Sequence, residues 1–157
     1  MKLRHLILPL ALIMVLISGC ERPVKAKEYK AISTQIDGFM AELFTDAEKL
    51  QTKALENYLD EGLEARFFMG AKLYRKAALL KEIKLAYEGF TSQKLVVMDP
   101  KAFVVSRNAV VWTAQVSSLA TGKDGIQYPN SLSETWLWQK KGEYWTVTHF
   151  SEAWVNK

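Results

Sequence analysis

The sequence predicts an α+β protein in which N-terminal helices pack on one face of an antiparallel sheet. Apolar residues recur at helical spacing between about residues 28 and 88, whereas Val-rich, alternating segments follow Gly89. Helices first and strands afterwards are typical of the α+β class. The chain has 157 residues, of which 49% are hydrophobic, so it is long enough for one domain with a proper core.

Three helices are predicted in the first half. The first begins near Glu28, and its apolar stripe comprises Tyr29, Ile32, Ile36, Met40 and Leu43. A second is predicted to begin at Thr45, because Thr45 and Glu48 have the form of a capping box. A third is predicted over residues 75–88, with Gly89 as its stop.

The second half is predicted to consist mainly of strands. They are expected over residues 93–99, 102–107, 109–119, 131–138 and 144–154, with a shorter strand over residues 63–69. Turns are expected at residues 99–100, 107–108, 122–125 and 140–143.

The last two predicted strands bring two ionisable groups together. Pairing Gln139 with Tyr144 across a four-residue turn places Glu134 opposite His149, on one face of the hairpin. The same face receives Leu132, Trp136, Trp138, Trp145, Val147 and Ser151. Ser, Thr and Gln dominate the other face, so the first face is predicted to be buried.

Glu134 and His149 are therefore candidate pocket and catalytic residues. A carboxylate favours the charged imidazole and burial opposes it. Such a pair suits general acid–base catalysis or the positioning of a polar ligand group, and the alternative is a buried salt bridge that fixes the sheet register. Trp112, Trp136 and Ser151 complete the predicted pocket, whose tryptophans form either a ligand-binding wall or simply core.

The first residues have the plan of a secretory signal peptide. A basic start with Lys2 and Arg4 precedes an apolar run too short to span a membrane. Residues 17–20 (Ile-Ser-Gly-Cys) resemble the lipobox of bacterial lipoproteins. We therefore expect a signal peptide over residues 1–19, lipid such as palmitate on Cys20, a tether over residues 20–27 and a domain over residues 28–157.

Glu21 resembles an outer-membrane sorting context, because Asp at that position would favour inner-membrane retention in Gram-negative bacteria. The expected location is therefore the outer membrane, facing the periplasm, with the membrane reached through the lipid on Cys20.

Composition excludes several classes of function. Without Lys2 and Arg4 the chain has 19 basic and 17 acidic side chains, so it gives no indication of nucleic-acid binding. Lipidation of the one cysteine removes any intrachain disulfide, and loss of His5 leaves His149 as the single histidine. A His/Cys zinc site is then excluded. No phosphate-binding or dinucleotide motif is present, so no cofactor is expected.

The closing hairpin resembles the nuclear transport factor 2-like, or cystatin-like, superfamily of α+β cones. The resemblance lies in residues 133–138 (Ser-Glu-Thr-Trp-Leu-Trp), the basic turn, Trp145 and His149-Phe150. It is closest to the association domain of calcium/calmodulin-dependent kinase and to polyketide-cyclase-like proteins. It implies that helices pack on a long curved antiparallel sheet. Cones of this type commonly pair through their sheets, so a homodimer using an outward Leu119, Leu137 and Phe150 is a further expectation.

The chain also departs from these relatives. Ser151 stands where they carry a second histidine, Ala153 where a Ser often follows, and Trp136 where the kinase domain has a pocket arginine. The resemblance therefore implies a more apolar ligand. We expect an envelope lipoprotein, not an enzyme, that binds a small, largely apolar ligand or dimerises. The alternatives are a small lyase- or isomerase-type enzyme using His149 and Glu134, and a structural partner in envelope assembly.

Overall fold

The computed structural model describes residues 23–155, so the predicted signal peptide, Cys20 and Glu21 lie outside the described residues. The helices are α1 (Ala26–Glu48), α2 (Lys53–Tyr58) and α3 (Lys76–Glu88). The strands are β1 (Arg66–Met69), β2 (Lys72–Tyr74), β3 (Phe90–Ser106), β4 (Ala109–Gly122), β5 (Gln127–Lys141) and β6 (Tyr144–Trp154). Within this part of the chain, no helix combines the length and apolar character needed to cross a bilayer.

Helix α1 runs past the capping signal that was predicted to start a second helix. The prediction at Thr45 is wrong, because Leu43, Phe44 and Ala47 continue the apolar face of α1 through this segment. Burial of that face outweighs the local preference of Thr for a helix start. The next helix instead begins after Thr52, whose hydroxyl donates to the Glu56 carboxylate at 2.8 Å.

The six strands form one curved sheet in the order β2-β1-β6-β5-β4-β3. All neighbouring pairs are antiparallel except β1 and β6, which run parallel. The sheet is therefore mixed, whereas the sequence predicted only antiparallel pairing. The α+β class and the packing of N-terminal helices on the sheet are confirmed.

Strand β3 is continuous across the expected turn at Asp99 and Pro100. Pairing with β4 is interrupted between Met98 and Lys101, where Asp99 has φ of 50°. The two predicted strands are therefore one long strand with a bulge, which bends it without ending it.

The register of the last hairpin differs from the prediction. Lys141 pairs with Tyr144 around a tight turn at Gly142, and Trp138 pairs with Val147. A second irregularity follows, because Leu137 pairs with His149 and leaves Thr148 as an extra residue. An extra residue reverses which side chains of the remaining strand face inward.

The core lies between the helices and the inner sheet face. Helices α1 and α3 contribute Ile36, Met40 and Leu79, and the sheet contributes Phe67, Val110, Trp112, Val116, Trp138 and Val147, all almost fully buried. The alternate β4 residues Val110, Trp112, Ala114 and Val116 are all buried, so this side of the strand faces the core. Burial of each such large apolar side chain stabilises the fold by about 1.5–3 kcal/mol.

Candidate functional site

A cavity of about 340 Å³ lies between α1, α3 and the inner face of the sheet. Its wall is mainly apolar and includes Leu43, Phe44, Leu79, Ile83, Val116 and Leu132. Helix α3 supplies a row of side chains at helical spacing, so one face of the helix closes the cavity over the sheet. Polar groups enter this wall at a few positions only.

Two carboxyl groups lie at the sheet side of the cavity. Glu134 on β5 and Glu152 on β6 are Cα partners, and both line the cavity. Among residues 23–155, they are the only charged side chains in its wall. Neither forms an ion pair within that part of the chain.

Glu134 is 6% exposed and accepts a hydrogen bond at its Oε2 from the Trp136 indole N–H at 2.8 Å. Burial raises the pKa of its carboxyl from 4.5 to about 7, and the indole hydrogen bond partly opposes this. Trp136 is itself held by the Phe150 ring, with the ring centroids 4.2 Å apart. The Glu134 carboxyl is therefore held by Trp136, which packs against Phe150.

Glu152 lies in a similar environment. Burial, and to a smaller extent the charge of the nearby Glu134 carboxyl, raise the pKa of its carboxyl from 4.5 to about 7. No hydrogen bond to the Glu152 carboxyl is found within residues 23–155, and its backbone carbonyl accepts from the Gly70 N–H at 3.0 Å. Two like charges this close favour a state in which the pair retains a proton.

Tyr87 on α3 lines the same cavity as the two carboxyls. Its pKa is raised to about 12 by burial, then by the charges of Glu152, Asp46 and Glu134. It therefore remains a neutral phenol at physiological pH, able to donate a hydrogen bond to a ligand or to a carboxylate.

His149 does not lie beside Glu134, and the predicted pairing of these two residues is wrong. His149 pairs with Leu137 on the outer face of the sheet, where its ring lies 5.7 Å from that of Phe68. The bulge at Thr148 is the physical reason, because it reverses the orientation of the residues after it. Glu152 occupies the position opposite Glu134 that the sequence had assigned to His149.

The remaining predicted pocket residues are divided between the two faces. Trp136 lines the cavity with Glu134, whereas Ser151 pairs with Thr135 and Phe68, outside the cavity wall. Trp112 is buried in the core next to the cavity, with its ring 5.8 Å from that of Phe44.

Trp112 has a partner that the sequence did not indicate. Its indole N–H donates to Asp37 on α1 at 3.1 Å. Asp37 is exposed on α1. The hydrogen bond shows that its carboxylate also ties α1 to the sheet.

Sequence reasoning missed Glu152 and Tyr87 as site residues. Tyr87 lies on α3, and its place in the cavity wall depends on how that helix packs over the sheet. Glu152 was placed on the wrong face by the assumed register. Recognising the two-residue turn at Gly142 would shift the pairing by two residues and leave the faces unchanged, so the bulge at Thr148 alone brings Glu152 inward.

The donor set does not suit a metal ion. Within residues 23–155, no group of three or more His, Cys, Asp or Glu side chains is arranged to bind one. Two carboxyls beside a phenol in an apolar wall are better suited to an organic ligand with one polar end.

No family model and no curated protein sequence matches the chain. Solved structures do match it. A nuclear transport factor 2-like superfamily protein from Salmonella enterica has a TM-score of 0.72 at 16% identity, and the match covers 82% of this chain and 94% of that chain.

Two further similar structures come from proteins of different kinds. A hexachlorocyclohexane dehydrochlorinase from Novosphingobium barchaimii has a TM-score of 0.71 at 12% identity, covering 84% of this chain and 92% of its own. The association domain of C. elegans CaMKII has a TM-score of 0.64 at 13% identity, covering 80% and 97%. At these identities the likeness shows the fold alone.

Proposed function

We propose that this chain, which has the nuclear transport factor 2-like fold that its closing hairpin resembles, is a binding protein for a small, largely apolar ligand. The ligand would lie in the cavity between α1, α3 and the sheet. The same fold supports enzymes, binding modules and oligomerisation domains, so the proposal rests on the cavity and not on the fold.

The observation that carries the proposal is the cavity itself. Its volume of about 340 Å³ falls within the range of roughly 300–1,000 Å³ typical of small-molecule sites. An apolar cavity of this size left empty forfeits the dispersion contacts of every side chain that lines it. Occupation by an apolar molecule restores those contacts.

The polar groups of the cavity give a ligand its orientation. Glu134 and Glu152 lie on the sheet side, and Tyr87 lies on the helix side. A few polar groups in an apolar wall fix the orientation of a ligand and provide its specificity. The ligand is therefore expected to combine an apolar body with one polar group.

Recovery of a bound molecule tests this proposal. The protein is purified from its host envelope and denatured, and the released small molecules are identified by mass spectrometry. Ala86→Trp is the comparison variant, in which a larger side chain is added at the cavity wall. Ala86 lines the cavity and is itself exposed on α3. We expect a stoichiometric ligand from the wild type and little from Ala86→Trp, with both variants unfolding at similar temperatures. Absence of any molecule from the wild type would contradict the proposal.

Acid–base catalysis is a second candidate function, favoured by the paired carboxyls. Two carboxyl groups with pKa near 7 can divide the roles of proton donor and acceptor at neutral pH. The proposed lyase- or isomerase-type enzyme would then use Glu134 with Glu152 and not with His149. Turnover of the recovered ligand by the wild type, abolished in Glu134→Gln, would support it, and unchanged ligand would support binding alone.

Dimerisation is favoured by a row of apolar side chains on the outer face of the sheet. Phe103, Val111 and Leu137 are successive Cα partners across β3, β4 and β5, and Phe103 is 43% exposed. Of the other residues predicted to face outward, Leu119 does so. Phe150 does not, because it packs inward against Trp136.

Anchoring through lipid on Cys20 is proposed from the sequence pattern at residues 17–20. Metabolic labelling with a palmitate analogue tests it. We expect label on the wild type and none on Cys20→Ser. Fractionation of inner and outer membranes then tests the proposed location facing the periplasm.

A further inference from the structure

We propose that the ligand of the cavity is a cation, namely an apolar molecule carrying a protonated amine that both Glu134 and Glu152 contact. This inference rests on the proposed binding function and names the chemical class of the ligand. The inference depends on the cavity, on the charge of the two carboxyls in its wall, and on the carboxyl oxygens for which no donor is found within the described residues.

When Glu134 and Glu152 are ionised, no basic side chain within residues 23–155 neutralises their negative charge. Within residues 23–155, the acidic side chains that form ion pairs are Glu28, Glu56, Asp60 and Glu61, and each pairs with a lysine or arginine. Glu134 and Glu152 have no such partner within residues 23–155. Buried charges in proteins are normally paired or hydrogen-bonded, so an unpaired carboxylate pair indicates a missing cation or a retained proton.

Most of the acceptor sites of the two carboxyls also have no hydrogen-bond donor within the described residues. One oxygen of Glu134 accepts from Trp136, and no donor is found for the other oxygen or for the Glu152 carboxyl within the described residues. A carboxylate pair offers several acceptor sites. A protonated amine has two or three N–H donors on one atom, so it can bridge both carboxyls at once.

The groups around the pair favour a cation over an anion. Among residues 23–155, the other ionisable side chain in the cavity wall is Tyr87 from α3, which carries no positive charge. An anionic ligand would meet two carboxyls, and the described part of the cavity wall contains no Lys, Arg or His to offset them. A metal ion would find too few ligands among the described residues.

The apolar part of the ligand is expected to include a ring or a branched chain. Aromatic side chains at the wall include Phe44, Phe90 and Trp136. Aromatic rings attract both other rings and cations placed over their faces. The wall therefore suits the body of such a ligand as well as its charged end.

Binding is expected to depend on pH in a defined direction. The amine binds to ionised carboxyls, and protonation of Glu134 and Glu152 removes their charge. Affinity should therefore rise as the pH increases through about 7, the region in which the two pKa values lie. Binding at neutral pH should release protons from the pair.

A matched set of three probes tests the inference: phenethylamine, phenethyl alcohol and phenylacetate. The full-length lipoprotein is placed in phosphatidylcholine nanodiscs, with empty nanodiscs as the reference. Binding is followed by calorimetry and by tryptophan fluorescence. We expect the amine to bind roughly tenfold to a hundredfold more tightly than the alcohol, and phenylacetate to bind least.

Two variants separate the effect of the carboxyl charges on binding from the effect of the apolar cavity wall. Glu134→Gln and Glu152→Gln should each reduce the advantage of the amine over the alcohol about tenfold or more and leave binding of the alcohol nearly unchanged. Calorimetry in two buffers of different ionisation enthalpy should show proton release for the wild type only with the amine.

The outcomes distinguish the two proposals. Equal or tighter binding of the alcohol would overturn the cation inference and leave an apolar binding site. Tightest binding of phenylacetate would overturn the cation inference as well. Failure of all three probes to bind would contradict both the inference and the proposed binding function.

Discussion

Glu134 and Glu152 face each other across β5 and β6 inside an apolar cavity, with no basic side chain paired to either within residues 23–155. This arrangement costs stability whenever both carboxyls are ionised, because burial favours their neutral form. A site that retains such a cost is a candidate for function and not for structural support.

The first prediction concerns the pH dependence of stability. Both carboxyls have a folded-state pKa of about 7, above the ordinary value of 4.5. Between these values the folded chain holds protons that the unfolded chain has released, so the free energy of unfolding falls as the pH rises. We expect about 1–3 kcal/mol less stability at pH 8 than at pH 5. Urea unfolding at the two pH values measures the difference.

Glutamine variants identify the groups responsible. Glu134→Gln and Glu152→Gln should each flatten the pH dependence, and Glu143→Gln, on an exposed turn, should leave it as in the wild type. Equal stability of the wild type at both pH values would contradict the burial of ionisable carboxyls in this cavity.

The second prediction concerns the hydrogen bond between Trp136 and Glu134. The indole N–H lowers the pKa of the carboxyl, so Trp136→Phe should raise that pKa further. The shift is measured by carbon NMR of labelled glutamate side chains. Trp138→Phe is the matched control, because Trp138 is equally buried and its indole nitrogen has no partner among the described residues. The same shift in both variants would show that ring volume, and not the hydrogen bond, sets the pKa.

The third prediction separates the two faces of the sheet. His149→Ala should leave ligand release and the titration of Glu134 unchanged, because His149 lies beside Phe68 on the outer face. Glu152→Gln, three residues further along the same strand, should alter both. Loss of ligand in His149→Ala would support the originally predicted pairing of His149 with Glu134 and contradict the bulge at Thr148.

The fourth prediction concerns association through the outer face. Phe103→Glu places a charge in the apolar row of Phe103, Val111 and Leu137, so it should weaken a dimer at least tenfold. Light scattering over a range of concentrations measures this. Tyr144→Glu is the control, because Tyr144 is a still more exposed aromatic at the β5–β6 turn, away from this row. A wild type that stays monomeric at high concentration would contradict dimerisation.

Local patterns predicted most of the elements of the fold. The third helix and β6 have the expected bounds to within a residue, because strong periodicity and turn residues mark both ends. The helix start predicted from the capping box at Thr45 is wrong, because packing of Phe44 and Ala47 in the cavity wall determines where α1 ends. Tertiary burial of this kind leaves no local signal in the sequence.

The candidate site was only half predictable for the same reason. Alternation along β5 correctly places Glu134 and Trp136 on the buried face. The partner of Glu134 depends on the turn at Gly142 and on the bulge at Thr148. The turn shifts the pairing by two residues and keeps the faces, whereas the bulge shifts it by one and reverses which residues of β6 face inward. Glu152 could therefore be found only from the structure.

The most direct test of ligand binding is a crystal structure of the protein purified from its host envelope, examined for electron density in the cavity beside Glu134 and Glu152. Binding predicts a small molecule whose polar group contacts one or both carboxyls and whose apolar body packs against Phe44 and Trp136. A cavity closed by its own side chains, with Tyr87 hydrogen-bonded to the carboxyl pair, would contradict it.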